Sequence, residues 1–158
     1  MTRLCFDVLS ALRAKGKTLV TAESLTGGGI GAALTAVPGA SDVYKGGVIS
    51  YVDQVKEEVL GVSKGVLDCY GAVSAQTAEA MAIGVRKLLR SDVAVSVTGL
   101  AGPGGDDANP EGTVWIGVAS DKGTVTVKKQ YRNDRKRNIE RFAAAALNEL
   151  RLVIEKGR

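Results

Sequence analysis

The sequence TAESLTGGG, at residues 21–29, is the stretch around which the rest of this chain is organised. It follows a short apolar segment and runs into glycines, which is typical of a buried strand that turns into a helix. Main-chain amides at a helix start attract anions, and Ser24 or Thr26 offers a hydroxyl for nucleophilic attack or hydrogen bonding. The pattern is equally typical of a residue that only caps a helix. Taken locally, capping and catalysis are equal alternatives.

The chain has 158 residues, of which 45% are hydrophobic, so it can bury one core and is short for two. We therefore expect one domain over residues 1–158. No stretch approaches the ~20 apolar residues of a membrane span, and the first helical segment is amphipathic rather than a signal sequence. A cytoplasmic protein with no membrane partner is expected. Cys5 and Cys69 are predicted to be small packed residues rather than a disulfide or reactive thiols.

The chain contains no histidine. This excludes a Ser-His-Asp triad, a Cys-His pair and every histidine-based zinc site, so a catalytic base has to be Lys, Asp, Glu or Tyr. The net charge of +4 and the isoelectric point near 9.1 suit an anionic ligand. The aromatic content of 4% argues against a stacking surface for single-stranded nucleic acid.

Helical and strand patterns alternate along the chain, and glycines and prolines separate them. We predict helices over residues 2–15, 27–36, from Asp53, between 61 and 69, 75–89 and 134–155, with strands over 18–22, 46–51, 92–99, 113–120 and 124–131. This alternation predicts an α/β fold: a single three-layer α/β/α domain with a mixed, mostly parallel sheet.

Three segments with polar side chains follow predicted strands: Ser24, Tyr51 with Lys56, and the loop after Thr98. Ligands of such sheets bind beyond the carboxyl ends of the parallel strands, so we expect the three segments at one edge. The loop at residues 99–112 contains five of the 20 glycines and two of the three prolines, and loops of that length are functional or disordered. Convergence of the three segments points to an active site at this edge.

A hydroxyl nucleophile needs a base, and the candidates near Ser24 are Lys56, Tyr51 and Glu23. We choose Lys56, because burial or a neighbouring cation can lower the pKa of a lysine enough to make it neutral. In the alternative interpretation, Lys56 pairs with Glu57 or Glu58 on an exposed helix. Tyr51 either relays a proton or packs at the strand end, and the sequence leaves both open.

The run at residues 132–141 places cations in the first turns of the last helix, where the helix dipole disfavours them. A bound phosphate, acidic side chains of this or another subunit, or solvent can offset this charge. The loop at 99–105 matches neither common phosphate-binding glycine pattern, although its amides can still bind an anion. Asp106, Asp107 and Glu111 are weak candidates for a metal site, so none is predicted.

Five segments together resemble the CinA carboxy-terminal domain family, the nicotinamide-nucleotide amidohydrolases. They are TAESLTGG at 21, PGASDVYKGGVISYVDQVK at 38, GAVS at 71, SVTGLAGPGG at 96 and EGTVWIG at 111. The match covers nearly the whole chain in the same order. It implies hydrolysis of nicotinamide mononucleotide, a small-molecule mononucleotide substrate, to nicotinate mononucleotide and ammonia in pyridine-nucleotide salvage, without a cofactor.

Carried onto this sequence, the resemblance implies a catalytic set of Ser24, Lys56 and Tyr51. The oxyanion is expected to meet main-chain amides or the hydroxyls of Ser41 and Thr98, and the phosphate to meet glycine-rich turns and the basic run. The substrate-binding residues so implied are Thr26, Gly27, Gly28, Ser41, Thr98, Gly99, Gly102, Gly104 and Arg137.

The sequence departs from the family pattern at Asn133, where the family usually has glycine before Asp134 and Arg135. This puts the geometry of that turn, and the arginine assignments after it, in doubt. Larger members of the family also carry an amino-terminal domain, which we do not expect here. The alternatives are a non-catalytic nucleotide-binding or regulatory domain and, less favoured, a nucleic-acid accessory module, although no specific nucleic-acid partner is expected. Small apolar faces also permit a homodimer or higher homo-oligomer.

Overall fold

The computed structural model describes residues 1–157, so the predicted domain boundary at Arg158 lies outside the described residues. Six α-helices occur in this part of the chain: α1 (Thr2–Ala14), α2 (Gly29–Thr35), α3 (Asp53–Glu58), α4 (Lys64–Tyr70), α5 (Ala75–Leu88) and α6 (Arg135–Lys156). The strands are β1 (Leu19–Glu23), β2 (Tyr44–Ile49), β3 (Val93–Gly99), β4 (Thr113–Ser120) and β5 (Gly123–Gln130).

Across residues 1–157, the five strands form one sheet in the order β2-β1-β3-β4-β5. Strand β1 pairs in parallel with β2 and β3, whereas β4 runs antiparallel to both β3 and β5. Four strands therefore point the same way and β4 points back. Every residue of β1 is buried, because helices cover both faces of the sheet at that strand. The predicted mixed α/β sheet is confirmed.

Two apolar layers flank the sheet. Helices α1, α2 and α6 pack on one face around a core that includes Leu12, Leu34 and Phe142. Helix α5, with the chain that follows α3, packs on the other face around Met81 and Val85. The three-layer arrangement follows from this division. Among the described helices, none is both long and apolar enough to cross a membrane.

The element boundaries differ from those predicted by one or two residues in most places. Helix α2 begins at Gly29 rather than at residue 27, because Gly27 and Gly28 have φ angles of 57° and 100° and form a turn. A 3-10 helix at Ala40–Asp42 was not predicted. Ser74 caps α5 as predicted, accepting a hydrogen bond from the amide of Thr77.

Close contact between α5 and the segment after α3 depends on Gly84. A Cβ atom at Gly84 would collide with the main-chain oxygen of Leu60, whereas one at Gly65 in α4 would meet only Ser63 Oγ, at 3.9 Å. We expect Gly84→Ala to lower the free energy of unfolding by about 1–3 kcal/mol. The control Gly65→Ala should leave it unchanged or raise it by about 0.5–1 kcal/mol. Urea unfolding measures both, and equal stabilities would contradict this packing.

Candidate active site

Ser24 lies directly beyond the last residue of β1, at the carboxyl edge of the parallel strands. Its amide donates to the main-chain oxygen of Val97 in β3, at 3.1 Å, so the sheet holds its backbone. Its own main-chain oxygen accepts from the amide of Gly27, at 3.1 Å, which closes the turn. Only 7% of Ser24 is exposed. The strand and the turn together therefore fix the position of the hydroxyl.

Lys56 reaches this hydroxyl from α3. Its Nζ lies 3.1 Å from Ser24 Oγ and 2.8 Å from the main-chain oxygen of Ser50, with that of Tyr51 at 3.4 Å. The side chain is buried, with 1% of the residue exposed. The alternative in which Lys56 forms an exposed pair with Glu57 or Glu58 is therefore wrong. The structure brings the predicted nucleophile and the predicted base within hydrogen-bonding distance.

Burial lowers the pKa of Lys56 below its ordinary value, because the ammonium loses its hydration. Asp53 partly opposes this lowering of the pKa, but its carboxylate lies 3.9 Å from Nζ and is largely exposed. The other close partners are a hydroxyl and main-chain oxygens, which carry no net charge. A neutral Lys56 amine has a lone pair that can accept the proton of the Ser24 hydroxyl.

The start of α2 is occupied by a carboxylate of the chain itself. Glu23 Oε1 accepts from Thr26 Oγ1 at 2.6 Å and from the Ile30 amide at 2.8 Å, and its Oε2 accepts from the Gly31 amide at 3.0 Å. Glu23, one of the three candidate bases, thus has its carboxylate engaged by the start of α2, and the proton of the Thr26 hydroxyl is committed to Glu23.

Gly27 and Gly28 form the turn between Ser24 and α2. Both have positive φ angles, which favour glycine. A Cβ atom at Gly28 would also approach Ile49 Cδ1 to 3.1 Å. These two glycines therefore let the chain turn sharply beside β2.

Thr98 lies at the same edge, near the end of β3, and is buried. Its Oγ1 donates to the main-chain oxygen of Ala72 at 2.7 Å, so its proton is already engaged. Gly99 allows close approach to β4, since a Cβ atom would lie 2.8 Å from the Cα of Val114. The structure therefore gives Thr98 and Gly99 supporting contacts within the fold.

The acidic side chains of the glycine-rich loop hold the loop's own backbone. Glu111 Oε2 accepts from the amide of Gly104 at 2.8 Å, and Asp106 Oδ1 accepts from the amides of Ala108 and Asn109 at 2.9 and 2.6 Å. Within residues 1–157, no group of three or more His, Cys, Asp or Glu residues could hold a metal ion. These carboxylate oxygens therefore serve to hold the loop in shape.

Ser41 does not join the cluster. It is exposed on the 3-10 helix that precedes β2, whereas Ser24 lies beyond the end of β1. The Leu19 amide at the start of β1 donates to Val43, which places this helix at the amino edge of the parallel strands. The expectation that Ser41 meets the oxyanion is wrong within one chain, because a whole strand length separates the two edges.

Tyr51 lies beside the pair, but its side chain points elsewhere. Its hydroxyl accepts from Arg135 Nη2 at 3.0 Å, and 56% of the residue is exposed. Arg135 Nη1 also donates to the main-chain oxygen of Gly102, at 2.7 Å. The guanidinium thus connects the segments after β2 and β3 across the end of β1. The Tyr51 hydroxyl is thus hydrogen-bonded to Arg135 and not to Ser24.

Arg135 and Asn138 were not predicted to contribute to the site. Arg137, the arginine that we preferred from the sequence, is exposed, and its amide donates to Asp134, the N-cap of α6. Asn138 is fully buried, and its Nδ2 donates to the main-chain oxygens of Ala101 and Asn133 at 2.8 and 3.0 Å. Asn138 lies one helical turn before Phe142, and this spacing could have predicted that its side chain is buried. Asn133 does not have a positive φ angle, so the missing glycine is tolerated.

The fold and the site together define a class of protein: an α/β domain that buries a serine–lysine pair at the carboxyl edge of parallel strands. The chain belongs to the CinA C-terminal domain family, whose model matches residues 2–154. The resemblance drawn from the sequence motifs is confirmed.

Known relatives agree with this assignment. A CinA-like protein of Synechococcus sp. (strain RCC307) is 48% identical over 150 residues, which cover 93% of this chain and 36% of the relative. Another from Salinibacter ruber is 48% identical over 145 residues, with 91% and 35% covered. The chain spans about a third of the length of these relatives.

Solved structures match over nearly the full length. A competence-damaged protein (CinA) superfamily protein of Klebsiella pneumoniae is 33% identical with a TM-score of 0.95, and the match covers 98% of both chains. One from Escherichia coli is 33% identical with a TM-score of 0.91, covering 96% of this chain and 87% of that one. The α/β arrangement described above is therefore that of the CinA structures.

The lowered pKa of Lys56 makes stability depend on pH. In the window from the folded-state pKa up to its ordinary value near 10.5, the unfolded chain binds the proton and the folded chain does not. The free energy of unfolding should therefore rise with pH there, by up to about 1.4 kcal/mol per pH unit, and fall as pH decreases. A Lys56→Met variant should lack this rise, whereas the exposed-lysine control Lys64→Met should keep it. Parallel pH curves for wild type and Lys56→Met, from urea unfolding, would contradict the burial of a titrating amine.

Proposed function

We propose that this chain hydrolyses the carboxamide of nicotinamide mononucleotide to give nicotinate mononucleotide and ammonia. The observation that carries the proposal is the buried contact of 3.1 Å between Ser24 Oγ and Lys56 Nζ. Membership of the CinA C-terminal domain family and the resemblance of the motifs to nicotinamide-nucleotide amidohydrolases support the choice of substrate.

In the first half of the proposed reaction, Ser24 Oγ attacks the amide carbon while its proton passes to the neutral amine of Lys56. The C–N bond then breaks, and Lys56 returns the proton to the departing ammonia. An ester between Ser24 and the nicotinoyl group remains. Water attacks this ester with Lys56 again taking the proton, and nicotinate mononucleotide leaves as Ser24 regains its hydrogen. Every proton taken is returned, so no cofactor is needed.

The oxyanion of the tetrahedral intermediates needs hydrogen-bond donors next to the nucleophile. The amides of Leu25 and Thr26 immediately follow Ser24 and donate no hydrogen bond to any group among residues 1–157. An amide directly after the nucleophile is a common donor in hydrolases that carry serine on a strand-to-helix turn. These two amides replace Ser41 and Thr98 as the proposed oxyanion donors.

The substrate phosphate is proposed to meet the basic start of α6, beside the glycine-rich loop. Arg137 is exposed there and keeps its proposed role as a phosphate contact. Arg135 is held between Tyr51 and Gly102 and adds a cation at the same edge of the sheet. Tyr51 is then proposed to orient this cation rather than to relay a proton.

Purified protein should release ammonia and nicotinate mononucleotide from nicotinamide mononucleotide without added metal. We expect Ser24→Ala to lower kcat by at least about 1,000-fold, because the nucleophile is lost. Lys56→Met should lower kcat by about 100-fold or more, because the base is lost. Chromatographic product analysis measures the rates, with Ser10→Ala and Lys64→Met as controls at positions away from the site.

The competing proposal is a nucleotide-binding domain without catalysis, since a fold can persist after its activity is lost. Thermal stabilisation by nicotinamide mononucleotide with no product formed, from neutral to alkaline pH, would favour that alternative. Full activity of Ser24→Ala would contradict the assignment of the nucleophile, and full activity of Lys56→Met would contradict that of the base.

A further inference from the structure

Glu23 is a buried carboxylate with no cation beside it. Only 2% of the residue is exposed, and within residues 1–157 no Lys or Arg forms an ion pair with it. Its partners are the Thr26 hydroxyl and the amides of Ile30 and Gly31, all of which are donors. We propose that Glu23 is a positioning residue, whose carboxylate fixes the turn that presents the Ser24 hydroxyl to Lys56.

The side chain of Glu23 closes a loop around Ser24. Ser24 lies between Glu23 and Thr26 in the chain, and the 2.6 Å hydrogen bond joins the two ends of this segment. The bonds to Ile30 and Gly31 tie the same carboxylate to the first turn of α2. Rotation of the Ser24 turn away from β1 therefore requires these bonds to Glu23 to break.

The main chain of Glu23 also holds Ser50, which in turn binds the amine of Lys56. Its oxygen accepts from the amide of Ser50 at 2.7 Å, and the main-chain oxygen of Ser50 accepts from Lys56 Nζ at 2.8 Å. Hydrogen bonds to Glu23 thus hold both the Ser24 turn and, through Ser50, the Lys56 amine. A shift of about 1 Å between reacting groups can cost about 100-fold in rate, so the position that Glu23 fixes affects catalysis.

The chemistry of the donors explains why a carboxylate is needed. Two carboxylate oxygens accept all the bonds from Thr26, Ile30 and Gly31, whereas glutamine offers one oxygen and an amide group that only donates. Glu23→Gln keeps the size of the side chain, but its NH2 group faces N–H or O–H donors in a buried place. Some of these polar groups then lack an acceptor. The expected consequence is a turn that no longer holds Ser24 Oγ against Lys56 Nζ.

This role rests on the proposed function, because it assumes that Ser24 acts as a nucleophile. It can be measured without the natural substrate by using a small organophosphorus fluoridate on the full chain. In that reaction Ser24 Oγ bonds to phosphorus, the P–F bond breaks, fluoride leaves with the bonding electrons, and Lys56 takes the hydroxyl proton. Intact mass spectrometry gives the rate of labelling, well below the unfolding temperature of each variant.

We expect Glu23→Gln to be labelled about 10–100-fold more slowly than wild type. Its kcat for nicotinamide mononucleotide should fall by a similar factor while KM changes by less than about threefold, because binding groups elsewhere are intact. The matched control is Glu155→Gln, at an exposed glutamate paired with Arg151 near the far end of α6, and it should stay within about twofold of wild type. A folded Glu23→Gln variant labelled at the wild-type rate would overturn the proposal.

A second pair of variants covers the case in which Glu23→Gln does not fold. Thr26→Val removes one donor to the carboxylate, and Thr26→Ser keeps it, so Thr26→Val should be labelled about 3–10-fold more slowly than Thr26→Ser. Equal rates would contradict the positioning role. Labelling of wild-type Ser24 without turnover of nicotinamide mononucleotide would refute the proposed substrate and leave the labelling ratios decisive for Glu23. A wild-type Ser24 that is not labelled at all would overturn the positioning role as well.

Discussion

A lysine amine buried against a serine hydroxyl constrains the rest of this structure. Lys56 is 1% exposed, and its Nζ is met by Ser24 Oγ and main-chain oxygens, with the exposed Asp53 carboxylate at 3.9 Å. An ammonium in such a place loses hydration, and the exposed Asp53 carboxylate only partly offsets this loss, so the pKa of Lys56 is lowered. The fold places this buried amine beside Ser24, just beyond the end of β1.

The position of β1 explains how this is done. It lies between β2 and β3, so the segments that follow all three parallel strands meet at one edge. β1 carries Ser24, the segment after β2 provides Ser50 and leads into the helix of Lys56, and the segment after β3 is held by Arg135 and Asn138. Each segment is anchored by hydrogen bonds to its main chain, which leaves the serine and the lysine little freedom relative to one another.

The sequence predicted the order of the main helices and strands and the mixed α/β sheet, because apolar periodicity depends mainly on which faces are buried. It also predicted that Ser24 and Lys56 would meet, since the position of each after a parallel strand is a topological property. The partner of the Thr26 hydroxyl could not be predicted in the same way, because nearby acceptors compete and the folded backbone decides between them. Ser41 was misplaced because it precedes β2 in the sequence. It therefore lies at the amino end of that strand, whereas Ser24 lies at the carboxyl end of β1.

Glu23 accepts hydrogen bonds from the amides at the start of α2, and the exposed cations lie at the start of α6. The proposed chemistry depends on burial lowering the pKa of Lys56, because Ser24 needs the neutral amine as its base. The direct measurement is NMR titration of the protein with 13C at lysine Cε, with the Lys56 signal assigned from Lys56→Met. We expect the pKa of Lys56 to lie below its ordinary value near 10.5. A Lys56 pKa at or above that value would contradict the role of the buried amine as a base for Ser24.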